Sequence, residues 1–153
     1  MSQQQVTALC LLDLSAAFDT IDHSILLHRL STWFGFNGKV ISWLTSYLSF
    51  RTFVVTINSV SSAHSSLSQG VPQGSVLGPL LFILYTTPLS SLISDSSVAH
   101  HMYADDNQLF ISFVTSEFSA KNSHLQTDFV SQWMSSNLLS LNQSKTEFLL
   151  IGL

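Results

Sequence analysis

The feature that most constrains this chain is the run Val6-Thr7-Ala8-Leu9-Cys10-Leu11-Leu12, which stops at Asp13. A nearly unbroken apolar run this short suits a buried strand. A carboxylate at the end of a buried strand is costly unless it has a partner or a metal. Asp13 has no evident capping role, so the strand is read as one that delivers an acid to a site.

The remaining pattern supplies what such a strand could pack against. Apolar residues at 25, 26, 27, 30, 33 and 34 predict a helix over His23–Phe34, and Val40, Ile41, Trp43, Leu44, Tyr47 and Leu48 predict a second over Lys39–Phe50. Thr52–Ile57 and Val60–Leu67 read as strands around an Asn58-Ser59 turn. Leu80–Ile93 reads as a helix, with Pro79 tolerated in its first turn and Pro88 a possible kink. Val98–Ala104 and Gln108–Val114 read as strands around a tight turn. A long amphipathic helix is expected over Ser116–Leu138, followed by short strands at Leu139–Leu141 and Thr146–Ile151. The order implies an α+β fold, with helices packed on one face of a mostly antiparallel sheet. No repeat or linker divides the 153 residues, so 1–153 reads as a single domain.

Charge bounds the function. Only 9% of residues are charged, and nine acids outweigh five bases for a net charge of −4. That balance argues against a free-standing nucleic-acid binder. Serine, with 28 residues, supplies most of the polarity. The lone Cys10 permits no disulfide within the chain and reads as a small core residue. The N-terminus lacks the basic start and cleavage site of a signal peptide. The longest apolar stretch, Leu77–Leu84, is interrupted by Gly78 and Pro79 and is too short to span a bilayer, so no membrane partner is expected. The six histidines show no metal-ligand spacing, and His100-His101 lie along a strand without an evident role.

Three stretches bear on chemistry. In "YADDNQ", Asp105 and Asp106 would point to opposite faces of a strand, so they can serve one site only if the backbone turns there. Such a pair is either a solvated hairpin turn or a pair of oxygen ligands whose repulsion a hard cation such as Mg²⁺ relieves. Asp19 and Asp22, in "AFDTIDH", stand at a helix start and read first as caps. "LSQGVPQGSVLGPLLF" carries Gly70, Gly74 and Gly78 at four-residue intervals. It is either a flexible loop into a buried helix or a backbone that approaches a ligand closely.

The stretches "LLDLSAAFDTIDH", "GVPQGSVLGPLLF", "YADD" and "LSLNQSKTEFLLIG", in this order, resemble the palm of reverse transcriptases, RNA-directed DNA polymerases of the non-LTR (LINE-type) retroelement group. The resemblance runs from about Val6 to Gly152. It implies a polymerase palm with fingers and thumb largely missing, and nucleotidyl transfer from a dNTP to a DNA primer 3′-OH on an RNA template. It implies two Mg²⁺ ions held by Asp13, the Leu14 carbonyl, Asp105 and Asp106, with Lys145 placed to neutralise or protonate the leaving pyrophosphate. Phe18 would lie under the sugar and exclude a 2′-OH, Gln73 and Gly74 would lie against the incoming nucleotide, and Tyr103 would pack behind the site. An intracellular setting, in nucleus or cytoplasm, follows from the same resemblance. A palm without the surfaces that grip substrate is expected to extend a primer feebly or not at all. The alternative is a catalytically silent retroelement remnant or interaction module.

Overall fold

The computed structural model describes residues 5–96, 98–114 and 128–152. The chain packs as two compact units, one from residues 1–17 and 86–153, the other from 18–85.

The first unit is built on a four-stranded antiparallel sheet in the order β10-β1-β8-β7. The central strand is β1 (Gln5–Leu12), flanked by β8 (Asp106–Val114) and β10 (Glu147–Ile151), with β7 (Ala99–Tyr103) at one edge. One face is covered and the other open. Val6, Ala8, Cys10 and Leu12 of β1 and Asn107, Leu109, Ile111 and Phe113 of β8 are buried, while the alternate residues of β8 are exposed. This period-two pattern is the direct consequence of strand geometry. On the covered side Val6, Ala8, Ile111 and Phe113 form one cluster. The helix α4 (Asp128–Ser136) buries Val130 and Met134. The expected helix over Ser116–Leu138 is thus found from Asp128 onward, and its earlier part lies outside the described residues. Two further strands, β2 (Leu14–Ser15) and β9 (Ser140–Leu141), pair with each other. The strands on either side of Asn142–Lys145 therefore do not form a hairpin: β9 joins β2, and β10 joins β1.

The second unit starts with a 3₁₀ turn at Ala17–Asp19. Asp22 then caps α1 (His23–Thr32), its Oδ1 accepting from the Ile25 N–H at 2.8 Å. The capping expected of Asp22 is realised because its side chain meets one of the orphan N–H groups of the first turn. α2 (Gly38–Leu48) follows and buries Leu44 and Leu48. The next hairpin is broken into two short ladders, β3 (Arg51–Phe53) with β6 (Ser65–Leu67), and β4 (Thr56–Ile57) with β5 (Val60–Ser61). Val54 and Val55 oppose three residues, 62–64, so the register shifts by one, as at a bulge. Asn58 and Ser59 form the expected turn, both with positive φ, 49° and 65°.

α3 (Leu77–Ser94) realises the helix expected over Leu80–Ile93, starting three residues earlier and ending one later. By length and composition alone it would reach across a bilayer. Its apolar character is that of a core helix: Phe82, Tyr85, Leu89 and Ile93, spaced three or four apart, are all buried, as is Leu81.

Candidate active site

The sheet delivers Asp13 by register. β1 pairs with β8 from Gln5↔Val114 to Leu12↔Asn107, and with β10 from Thr7↔Ile151 to Leu11↔Glu147. Continued past Leu12, the first register brings Asp13 level with Asp106 and the second brings it level with Lys145. Side chains level with each other on adjacent antiparallel strands are near neighbours. Accordingly Asp13, Asp106, Ser144, Lys145 and Glu147 line one cleft of about 360 Å³, floored by Leu11 and Leu12.

The backbone does turn between the two aspartates. Tyr103 pairs with Asp106, leaving Ala104 and Asp105 as a two-residue hairpin turn in which Ala104 has φ 53°. Asp106 opens β8 and lines the cleft, whereas Asp105 is absent from its lining. Asn107, one residue on, is buried on the covered face, and its Nδ2 donates to the Asp105 carbonyl at 2.9 Å. Asn107 thus pins the turn that presents Asp106. Sequence reading passed over it, although an Asn after two Asp in a hairpin turn is a signal for side-chain-to-backbone bonding. Tyr103 does not pack behind the site. It is 76% exposed, because it sits directly opposite Asp106 and shares that residue's open face.

Asp13 is held at its backbone and left open at its carboxylate. Its carbonyl accepts from the Asn142 N–H at 2.9 Å. The Asn142 carbonyl accepts from the Lys145 and Thr146 N–H groups, closing the turn that carries Lys145. The Lys145 Nζ lies 3.6 Å from Asp13 Oδ2, an ion pair too long for a hydrogen bond. That Oδ2 is buried and has no hydrogen-bond partner. An unsatisfied carboxylate oxygen facing a polar cleft suits a hard cation. No group of three His, Cys, Asp or Glu side chains able to hold a metal is present among the described residues. Two acids from the protein are nevertheless the usual complement for Mg²⁺, which takes its remaining ligands from water and substrate phosphates. The donor set around Asp13 and Asp106 therefore fits the ion. Leu14 is buried in β2, paired with Leu141, and is not among the residues lining the cleft.

The second unit holds its own small cleft, about 160 Å³, lined by Phe18, Pro72, Gln73, Gly74, Gly78 and Pro79. Phe18 is half-buried and rests on Phe82, ring centroids 5.0 Å apart. The glycine loop is tied to the 3₁₀ turn at several points. Gly70 N–H donates to the Ile21 carbonyl at 2.7 Å, Val71 N–H to the Phe18 carbonyl at 2.8 Å, and Gln73 Nε2 to Asp19 Oδ1 at 2.9 Å. Asp19 is thus a loop tether and not the cap its position suggested. The Gly70 carbonyl also meets His23 Nε2 at 2.7 Å. At the start of α3, Ser75 Oγ accepts from the Gly78 N–H and donates to the Pro72 carbonyl. The loop is therefore braced, which the repeat of glycines alone could not reveal. His100 meets Ser90 Oγ at 2.7 Å, a structural contact.

The fold defines the class. Telomerases of known structure superpose on nearly the whole chain: the apo Candida tropicalis enzyme truncated from its C-terminal domain at TM-score 0.70 and 17% identity, covering 95% of this chain and 31% of that one, and the Candida albicans enzyme with a fragment of telomeric RNA at TM-score 0.69 and 12% identity, covering 94% and 28%. This is the polymerase palm expected from the four motifs. A model of the reverse transcriptase (RNA-dependent DNA polymerase) family matches residues 1–150, and the chain belongs to that family. Among its relatives are the probable RNA-directed DNA polymerase from transposon BS of Drosophila melanogaster, 30% identical over 145 residues, covering 88% of this chain and 15% of that protein. The polymerase from the mobile element jockey of the same species is 29% identical over 153 residues, covering 95% and 16%. The chain thus spans about a sixth of the length of the relatives it matches.

Proposed function

We propose that this chain is the catalytic palm segment, as a single partial domain over 1–153, of an RNA-directed DNA polymerase from a non-LTR retroelement. Its reaction would join a dNTP to a DNA primer 3′-OH on an RNA template. The observation that carries the proposal is the convergence of Asp13, Asp106 and Lys145 on one cleft, with the Asp13 Oδ2 left unbonded. Asp13 and Asp106 would hold Mg²⁺; Asp105 and the Leu14 carbonyl are the further ligands the four motifs imply, each next in sequence to a residue of the cleft although neither lines it. When bound, a Mg²⁺ pair supplies an acidified 3′-OH and compensates charge on the leaving pyrophosphate.

The chain's own groups do the rest. The Lys145 ammonium, already beside Asp13, supplies a cation and a proton to the pyrophosphate. The Phe18 ring, backed by Phe82, fills the space beside the nucleotide sugar and disfavours a 2′-OH. Gln73 and Gly74 offer an amide and an accessible backbone to the nucleotide.

The test replaces the matching segment of the jockey polymerase with this chain and measures dNTP incorporation on an RNA template. Incorporation by the hybrid, lost on Asp106→Asn, supports the proposal. A folded hybrid with no incorporation would identify the chain as a silent remnant.

A further inference from the structure

Charge is distributed unevenly along this chain. From His23 to Ser94 there is no Asp or Glu, yet Arg29, Lys39 and Arg51 lie there, three of the five bases. Against a net charge of −4, this leaves a locally positive stretch. Arg29 is spent internally: it is buried, donates to the Tyr85 carbonyl and lies over the Tyr85 ring. The accessible charge of the stretch therefore rests on Lys39 and Arg51.

Those two bases bracket a pair of aromatic rings. Lys39, Trp43 and Tyr47 follow one another at four-residue spacing along α2, and Arg51 continues the spacing at the start of β3. The Trp43 and Tyr47 rings are stacked, centroids 5.5 Å apart and planes 18° from parallel. The Arg51 guanidinium covers the Tyr47 ring at 4.5 Å, and its Nε donates to the Tyr47 carbonyl at 2.7 Å. The row is displaced by one residue from Leu44 and Leu48, the buried side of the helix. Trp43 remains 56% exposed and Lys39 is exposed.

We propose that this row binds single-stranded nucleic acid, a base extending the stack on Trp43 while Lys39 and Arg51 meet neighbouring phosphates. An exposed aromatic face between cations is the arrangement that binds unpaired bases without regard to sequence. A duplex keeps its base faces within its own stack and offers only edges. A protein-docking patch would be depleted in lysine at its centre. The row shares no residue with the lining of the Asp13 cleft and requires no chemistry there.

The experiment titrates the full chain into a short fluorescein-labelled oligothymidylate and follows anisotropy across a salt series. Binding with quenching of tryptophan emission is expected. Trp43→Ala should weaken it roughly 5- to 150-fold, the range for one stacked base. Trp43→Leu, which keeps the apolar bulk, should weaken it similarly. Lys39→Gln with Arg51→Gln should flatten the dependence of log K on log salt by about 1.4. Trp33→Ala, an exposed tryptophan off the row, should bind as the wild type does. The assay contains neither dNTP nor divalent cation and reads binding alone, so failure of the catalytic reading leaves this one testable. No binding by the folded wild type, or wild-type affinity in both Trp43 variants, overturns the proposal. So does a Trp43→Ala effect confined to self-association, which would make the row a protein contact.

Discussion

Replacing Gly70 by alanine should cost far more than replacing Gly74, four residues on. Both glycines occupy the left-handed region, φ 85° and 76°. An L-residue there costs roughly 1–2 kcal/mol, and that penalty applies to both. Only Gly70 is also enclosed. A Cβ there would stand 2.9 Å from the Asp19 Cα and carbonyl oxygen and 3.0 Å from the Phe18 carbonyl oxygen, while one at Gly74 would meet nothing within 4 Å. The crowded atoms are backbone and cannot swing aside. Overpacking of this kind adds about 1–3 kcal/mol. Gly70→Ala should therefore destabilise by roughly 2–5 kcal/mol and Gly74→Ala by roughly 1–2 kcal/mol. Urea unfolding of both variants, followed by circular dichroism with m-values compared, measures the difference. Equal losses would refute the reasoning, because the close approach of the loop to Phe18 and Asp19 would then carry no weight. If the losses differ as expected, the same contact is what sets the loop of Gln73 and Gly74 beside Phe18.

Other outcomes follow from the same geometry. Ala104, at φ 53° in the hairpin turn, should be improved by glycine: Ala104→Gly should raise stability by about 0.5–1 kcal/mol in urea unfolding, the left-handed strain outweighing the added chain entropy. Cys10 is fully buried, and burial pushes its thiol up to about 11, so alkylation by iodoacetamide at pH 8 should proceed only as fast as the protein opens. Lys145→Gln should change unfolding free energy by less than about 1 kcal/mol, since the lysine is 67% exposed and its pairing with Asp13 is solvent-screened. A loss of roughly 3 kcal/mol or more would mark the pair as a buried one.

What the sequence disclosed and what it withheld divide along a physical line. The apolar run before Asp13, the strand at Gln108–Val114 and the Asn58-Ser59 turn are local patterns, and the structure realises each of them. Pairing is non-local. Nothing within residues 139–151 says that β9 will leave its neighbour for β2, because strand choice depends on partners more than a hundred residues away. Separations of 54 and 47 residues likewise hid the Gln73–Asp19 bond and the His23 contact with the Gly70 carbonyl. An aromatic beside an acidic pair suggests packing, yet Tyr103 is exposed. Its face is decided by its pairing with Asp106, which sequence period alone does not fix. Asp13 is the converse case. Its burden as a carboxylate ending an apolar strand was legible, and two registers explain where it goes.

The most direct measurement of the central claim, that Asp13 and Asp106 together hold a divalent cation in this cleft, is cleavage of the chain by bound Fe²⁺ with ascorbate and peroxide, in competition with Mg²⁺. Radicals released at the ion cut the nearest backbone. Cuts beside Asp13, at the Ala104-Asp105 turn and near Lys145, suppressed by Mg²⁺ and abolished in Asp106→Asn, are the predicted result. Cuts elsewhere, or the same cuts in Asp106→Asn and Asp13→Asn as in the wild type, would contradict it.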